Sequence, residues 1–385
     1  VLHGAALALA LALFAAIPAQ RAQAQEALSF DAALRLAQTR SQQLVGQDAA
    51  ADAARAMATA AGQLPDPVLK AGLNNVPING DDRFSLTRDF MSERSIAVTQ
   101  ESTRADRRQA RLARVEREAQ VAEAGRVMAL ATLRRDTATA WLDCYYQART
   151  HALLQTQRDE LRLQVDAAGA AYRGGRGTQA DVFAARSALA QLDERLLAQA
   201  REIAAAQIRL ARWVGSGAPA PSQALPPMDT VRLDARLLQA QIDAHPQIAL
   251  MAQQEAVARA EVDIAQSEKR ADWSVELMYS QRGPAYADMV SVNFSIPLQL
   301  DQKNRQEQTL AAKLATVAQL EALRVEATRA SAAEALAWLQ QWQGNRQRLA
   351  LYDSTLVPLA AQRTQAELAG YRGGTAFLDA ALTAR

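Results

Sequence analysis

The amino-acid sequence predicts a mainly α-helical chain with a small transmembrane β part, built as two internal repeats. Three observations carry this prediction. The chain has only 17 glycines and 12 prolines among its 385 residues and is rich in alanine, the composition of long helices. No proline falls between Pro77 and Pro219 or between Pro297 and Pro358, so each half holds a long stretch in which a helix can run unbroken. Tyr172-Arg173-Gly174-Gly175 returns as Tyr371-Arg372-Gly373-Gly374, and each copy closes one of those stretches.

The chain opens on an apolar run, Ala5 to Ile17, followed by Pro18 and the small-residue pattern Ala22-Gln23-Ala24. This is the form of a cleavable export signal over 1–24, with His3 standing where a basic residue is usual. The run is shorter than the ~20 residues of a spanning helix. The single cysteine, Cys144, excludes an internal disulfide and any multi-cysteine metal site, and reads as a small apolar helix residue. His151 has no second histidine or cysteine at ligand spacing, so no metal site and no cofactor is expected. A net charge of +2 gives no case for nucleic-acid binding.

The first repeat spans 25–214. A leading helix is expected over about Phe30 to Gly62, then a β-hairpin over about 67–102. Leu69, Ala71 and Leu73 form one face of its first strand, Ile96 and Val98 one face of its second, and a polar loop with Asn79-Gly80-Asp81-Asp82 lies between. A long helix follows over 104–171, then a tight glycine turn and a helix over 181–214. Residues 215–229, with Pro219, Pro221, Pro226 and Pro227, form a linker. The second repeat, 230–385, runs through a helix over about Leu233 to Arg270, a hairpin over about 273–299 and a long helix over 303–370. Its hairpin alternates clearly, with Trp273, Val275, Leu277 and Tyr279 against Val290, Val292, Phe294 and Ile296. By comparison with the first repeat, the last helix is expected to be truncated at Arg385.

Each long helix covers on the order of 100 Å at 1.5 Å per residue. Helices of that length exceed the ordinary globular limit and call for coiled-coil packing, with Gly125 and Pro358 as the places where a kink is expected. A soluble half-buried hairpin alternates as these do, so either hairpin alone leaves both readings open. Read as membrane strands, four per chain cannot close, because open edges cannot sit in hydrocarbon. Three chains supply twelve, an even number that can. The expected architecture is therefore a long α-helical coiled-coil barrel joined to a 12-stranded β-barrel in a homotrimer.

The residues also carry a resemblance. From Leu28 onward the chain is similar to the TolC family of outer-membrane efflux channels. The two turns, YRGGRGTQADVFAAR from Tyr172 and YRGGTAFLDAALTAR from Tyr371, resemble the family's periplasmic helix tips. His245-Pro246 resembles its Asn-Pro early in each repeat, where the first repeat has Arg40-Ser41 instead. The stretch Leu64 to Glu101 looks like the heavy-metal branch, the CzcC- and CusC-like channels. The resemblance implies a passive conduit and not an enzyme. It implies an inner-membrane pump of the resistance–nodulation–division (RND) type, a periplasmic adaptor protein, outer-membrane lipid around the barrel, and helices standing in the periplasm of a Gram-negative cell.

The tip glycines Gly174, Gly175, Gly177, Gly373 and Gly374 permit a helix reversal on their own account. The resemblance adds that the tips, Tyr172, Arg173, Thr178, Tyr371, Arg372 and Thr375 included, meet the adaptor. Asp181 and Asp379 suit a helix first turn. By resemblance they and Tyr371 are gate residues, with Asp181 placed to bond Tyr371 of a facing helix. The family's gate arginine is missing, replaced by Thr375-Ala376 with Arg372 nearby. Lys70, Arg94 and Glu276 lie on strands and are candidates to line a polar barrel interior, with exposure on an ordinary sheet as the plain alternative. Trp273 and Tyr279 suit an interfacial aromatic girdle. No nucleophile–base pair or paired-carboxylate arrangement stands out, so no catalysis is expected. A periplasmic coiled-coil adaptor would show one helical hairpin and no duplicated strand pairs. A channel for drugs or other cargo differs from a metal channel only through Leu64 to Glu101.

Overall fold

The computed structural model describes residues 27–231, 233 and 237–373. The expected export signal, Gly374, Thr375, Asp379 and the truncated last helix lie outside them. The elements are α1 (Phe30–Arg40), α2 (Gln42–Ala61), β1 (Val68–Asn74), β2 (Glu93–Ser102), α3 (Ala105–Arg173), α4 (Gln179–Val214), α5 (Leu238–Asp243), α6 (Pro246–Ser267), β3 (Trp273–Gln281), β4 (Met289–Ser295), α7 (Gln306–Leu351) and α8 (Val357–Arg372). A five-residue π-helical turn, Tyr352–Leu356, joins α7 to α8. The chain divides into two compact units. One, the helical unit, takes the described residues within Val1–Ser41, Leu133–Val231 and Arg348–Arg385. The other, the sheet unit, takes Gln42–Thr132 and Arg232–Gln347.

Trp141, fully buried, organises the helical unit. Its indole N–H donates to the Leu28 carbonyl at 2.9 Å. Phe30 meets it edge-on at 5.5 Å, and Tyr145, one turn along α3, stacks on it at 5.7 Å. Leu28 is held in place because its N–H donates to Ala220 (2.8 Å) and its carbonyl accepts from Ser222 (2.9 Å). The proline-rich linker thus clasps the chain entering α1. Ala206, Leu210 and Val214 of α4 complete the core. Burying an aromatic of this size with its one polar atom bonded favours a single packing. Gly215 (φ 97°) ends α4 in a conformation that a side chain would strain.

In the sheet unit the four strands make one antiparallel sheet in the order β1-β2-β3-β4. The two hairpins are joined through β2 and β3, with Ile96 opposite Tyr279 and Val98 opposite Leu277. Their loops also touch: Gly283 lies so close to the Thr87 carbonyl that a Cβ there would fall 1.7 Å from the oxygen. Ion pairs tie the helices. Glu261 of α6 meets Lys313 of α7 at 2.7 Å and Arg114 of α3 at 3.5 Å. Glu255, with 6% of its side chain exposed, meets Arg324 at 2.8 Å and also pairs with Arg259. Asp272, just before β3, pairs with Arg107 and accepts the Arg104 N–H at 2.9 Å, so the start of α3 is pinned beside the strand.

Several elements differ from expectation for local reasons. The first leading helix divides at Ser41, whose ψ of 104° leaves the helical range. The second starts only at Leu238 and restarts at Pro246, because proline at a first helical position has no N–H to satisfy. Gly125 does not break the 69-residue α3. It allows close approach instead, since a Cβ there would sit 2.9 Å from Gln47. The second long helix begins at Gln306 and yields to the π-turn just before Pro358. Among the described residues no helix is long and apolar enough to cross a membrane.

Candidate functional site

Two surfaces carry the candidate residues: the faces of the sheet, and the turn between α3 and α4. Register assigns the sheet residues to faces, since paired residues share a face and successive ones alternate. One face carries Leu69, Leu73, Ile96, Val98, Val275, Leu277, Tyr279, Val290, Val292 and Phe294. It is exposed along its length: Leu69 67%, Leu277 57%, Val292 69%. Trp273 and Phe294 meet at 5.1 Å at one end, and at the other the Tyr279 hydroxyl donates to Asp288 at 2.5 Å. The opposite face is polar. There Glu276 accepts from Lys70 at 2.6 Å and Thr99 at 2.8 Å through Oε2, and from Asn293 at 3.2 Å through Oε1. The outer edges of β1 and β4 have no strand partner among the described residues.

The α3–α4 turn is closed by its own backbone. The Gly174 N–H donates to Ala170, that of Gly175 (φ 71°) to Tyr172, and that of Arg176 to Ala171, at 2.9–3.0 Å. Thr178 caps α4 through a capping box: its hydroxyl accepts the Asp181 N–H at 3.1 Å, and the Asp181 carboxylate takes the Thr178 N–H at 2.8 Å. The Thr178 hydroxyl also lies 2.7 Å from that carboxylate. These bonds hold the Asp181 carboxyl below its ordinary pKa. Tyr371 packs on Ala168 and Ala185 with Val165 and Val182 around it. Its buried hydroxyl has no hydrogen-bond partner among the described residues. Burial first, and the Asp181 charge second, raise its pKa.

Solved structures share this arrangement. The outer membrane protein VceC from Vibrio cholerae aligns over 92% of this chain and 88% of its own, with TM-score 0.74 and 19% identity. A CusC structure concerned with transmembrane channel formation covers 92% and 85%, with TM-score 0.76 and 14% identity. The outer-membrane channel OprN covers 92% and 83%, with TM-score 0.73 and 18% identity. The chain has the fold of outer-membrane channels. No protein-family model matches the chain, and no curated protein matches it.

Set on the channel fold, the candidates separate. Lys70 and Glu276 share the polar face and bond each other. Arg94 does not join them: it stands opposite Leu73 and Gln281 on the apolar face, at the loop end of β2. Its parity with Ile96 and Val98 along β2 already puts Arg94 on their face, and the register shows that this face is the apolar one across the sheet. Within this chain Asp181 bonds Thr178 and not Tyr371. Tyr172 and Arg173 are exposed at the tip, and Gly177 is packed so that a Cβ there would lie 3.3 Å from the Ala171 Cβ. Gly373 ends α8 with its N–H on Ala369 at 2.9 Å, at φ −78° and not in the left-handed range. The backbone of Arg372 is the last residue of α8.

Sequence reasoning missed Thr99 and Asn293, which complete the Glu276 cluster, and Phe183, an aromatic 57% exposed in the first turns of α4. Parity with Lys70 was the signal for Thr99 once pairing is known. No group of three or more histidine, cysteine or acidic side chains is arranged to hold a metal among the described residues. The Cys144 thiol is buried, and burial raises its pKa.

Proposed function

We propose that three copies of this chain form an outer-membrane channel, a passive conduit in a tripartite efflux system. The single observation that supports this best is the sheet. Its apolar face is exposed from end to end, its other face is polar and internally bonded, and its two edges are open. Water is a poor solvent for the first face and hydrocarbon a forbidden one for the last feature, so closure with other copies into a barrel meets both conditions. The helices then stand in the periplasm. Substrate arrives from an inner-membrane RND pump through a periplasmic adaptor that docks at the helix tips, around Tyr172, Arg173, Thr178 and the matching Tyr371 turn. Lys70 and Glu276 line the lumen as a neutralised pair. Asp181 and Tyr371, with Asp379, gate the periplasmic end. The channel itself performs no catalysis and supplies only the path.

For cargo we propose heavy-metal cations, on the resemblance of Leu64 to Glu101. The tube passes such ions without holding them. Outer-membrane fractionation with heat-resistant trimers and stepwise single-channel currents tests the channel reading, and a monomer in the soluble periplasm would sink it. Deletion of the gene should sensitise cells to divalent metal salts, and sensitisation to drugs alone would transfer the cargo to another class. Closed-state leak should rise in Asp181→Ala or Tyr371→Phe, and an unchanged leak would remove both from the gate.

A further inference from the structure

We propose that Arg94 is a binding residue for the phosphate of an anionic glycolipid in the outer leaflet around the barrel. The proposal rests on the channel reading above. Arg94 lies on the apolar face, exposed, one position from the loop end of β2, between Leu73 and Gln281. No carboxylate meets it among the described residues, although that end of the sheet is rich in them. Each of the nearby ones has another partner: Glu93 accepts from Asn74 (3.1 Å), Asp89 from the Met91 and Ser92 N–H groups (2.9 Å), Asp82 pairs with Arg88 (3.4 Å), and Asp288 takes Tyr279. Asp81, at the tip of the longer loop, is the exception.

A guanidinium is rarely left unpaired on an otherwise apolar membrane face unless its counter-charge comes from the surroundings. A second copy of the chain does not supply that charge, because β2 is an inner strand. A neighbouring copy joins at β1 or β4, one or two strand spacings of about 4.8 Å farther away. Lipid is what lies against this face. The depth also fits. Trp273 marks the helix end of the band and Tyr279 lies six residues along the same strand, about 20 Å away at the strand rise. Arg94 lies just beyond Tyr279, at headgroup level on the side away from the helices. The touching loops hold three more guanidinium groups, Arg83, Arg88 and Arg282. Arg282 follows Gln281, the partner of Arg94, and Arg88 follows Thr87, which abuts Gly283. Arg282 is turned onto the Ala287 carbonyl (2.9 Å), Arg88 onto Asp82 and Arg83 onto the Phe84 ring (4.7 Å), which leaves Arg94 as the planar fork free to take a phosphate.

The test titrates fluorescent bisphosphorylated lipid A onto purified trimer in phosphatidylcholine nanodiscs. Arg94→Gln should weaken binding roughly tenfold, the scale of one charge-assisted contact. Arg94→Lys should weaken it less, since the charge remains and the fork is lost, and it keeps the assay usable if the glutamine variant fails to assemble. Dephosphorylated lipid A should bind the wild type as weakly as the phosphorylated lipid binds Arg94→Gln. Equal binding by wild type and variants overturns the proposal. Displacement by inorganic phosphate, mole for mole, overturns the lipid as the source and leaves a free-anion site. A wild-type chain that forms no trimer in any nanodisc overturns the channel reading itself, an outcome distinct from a trimer that ignores lipid phosphate.

Discussion

The two long helical stretches descend from matching sequence, yet they meet opposite fates in the folded chain. Helix α3 buries Val115, Ala119, Ala129, Leu133, Ala140, Trp141, Cys144, Tyr145 and Ala168. None of the described side chains of α7 or α8 is buried, although leucine and valine are spread along both and α7 adds Trp338 and Trp342. Trp338 stands 66% exposed and Leu349 61%. Composition alone does not separate the two; what differs is which helix finds its cover inside its own chain. Helix α3 has α1 and α4 against its second half. Helix α7 is held to α6 by Lys313–Glu261 and Arg324–Glu255, and its apolar positions remain without cover. An apolar stripe of this length calls for an occupant, and in the proposed trimer that occupant is the neighbouring copies.

The largest effect expected tests that difference directly. Trp338→Glu combined with Leu349→Glu should abolish heat-resistant trimers while leaving the helical circular dichroism of the chain intact. Trimers that survive would show that α7 is covered by nothing. Next, Trp141→Ala should destabilise the helical unit by about 3–5 kcal/mol, read by denaturant unfolding, because it removes a large buried aromatic and one of the two hydrogen bonds to the Leu28 carbonyl. A small effect would mean that α3 depends on its own chain no more than α7 does. Glu255→Gln should cost about 2 kcal/mol, less than a fully buried pair, since Arg259 can turn to water.

The smallest effect sits at the tip. Thr178→Ala should cost about 1 kcal/mol of helix stability. It should also flatten a pH dependence. Asp181 has a lowered pKa in the fold, so its contribution is complete above about pH 4 and is lost as the pH falls through the lowered value. Acid unfolding curves of the wild type and the variant should therefore converge at low pH. Curves that stay parallel would remove Asp181 from the cap.

Much of the fold is legible in the sequence because its signals are local. Proline gaps delimit helices, strict alternation marks strands, and the first Tyr-Arg-Gly-Gly marks the reversal between α3 and α4. Thr178 with Asp181 three residues on is also a readable capping box, and it explains why that carboxylate is spoken for. What is not legible depends on pairing across distance. The meeting of Thr99 and Asn293 at Glu276 is decided by register, and so is the joining of the hairpins by Ile96 against Tyr279. The break at Ser41 carries no glycine or proline to announce it. The unequal burial of α3 and α7 is likewise invisible in residues that read alike.

The π-turn at Tyr352–Leu356 has a consequence for how the second long stretch presents itself. One residue more than an α-helical turn requires advances everything after it by about 100° about the axis. A stripe drawn along α7 therefore does not continue straight into α8; Val357 and Leu359 start a new line around the cylinder. A stretch that had to keep one companion from end to end would be served badly by such an offset. One that hands over from one companion to the next as it nears its tip would use it as the changeover point.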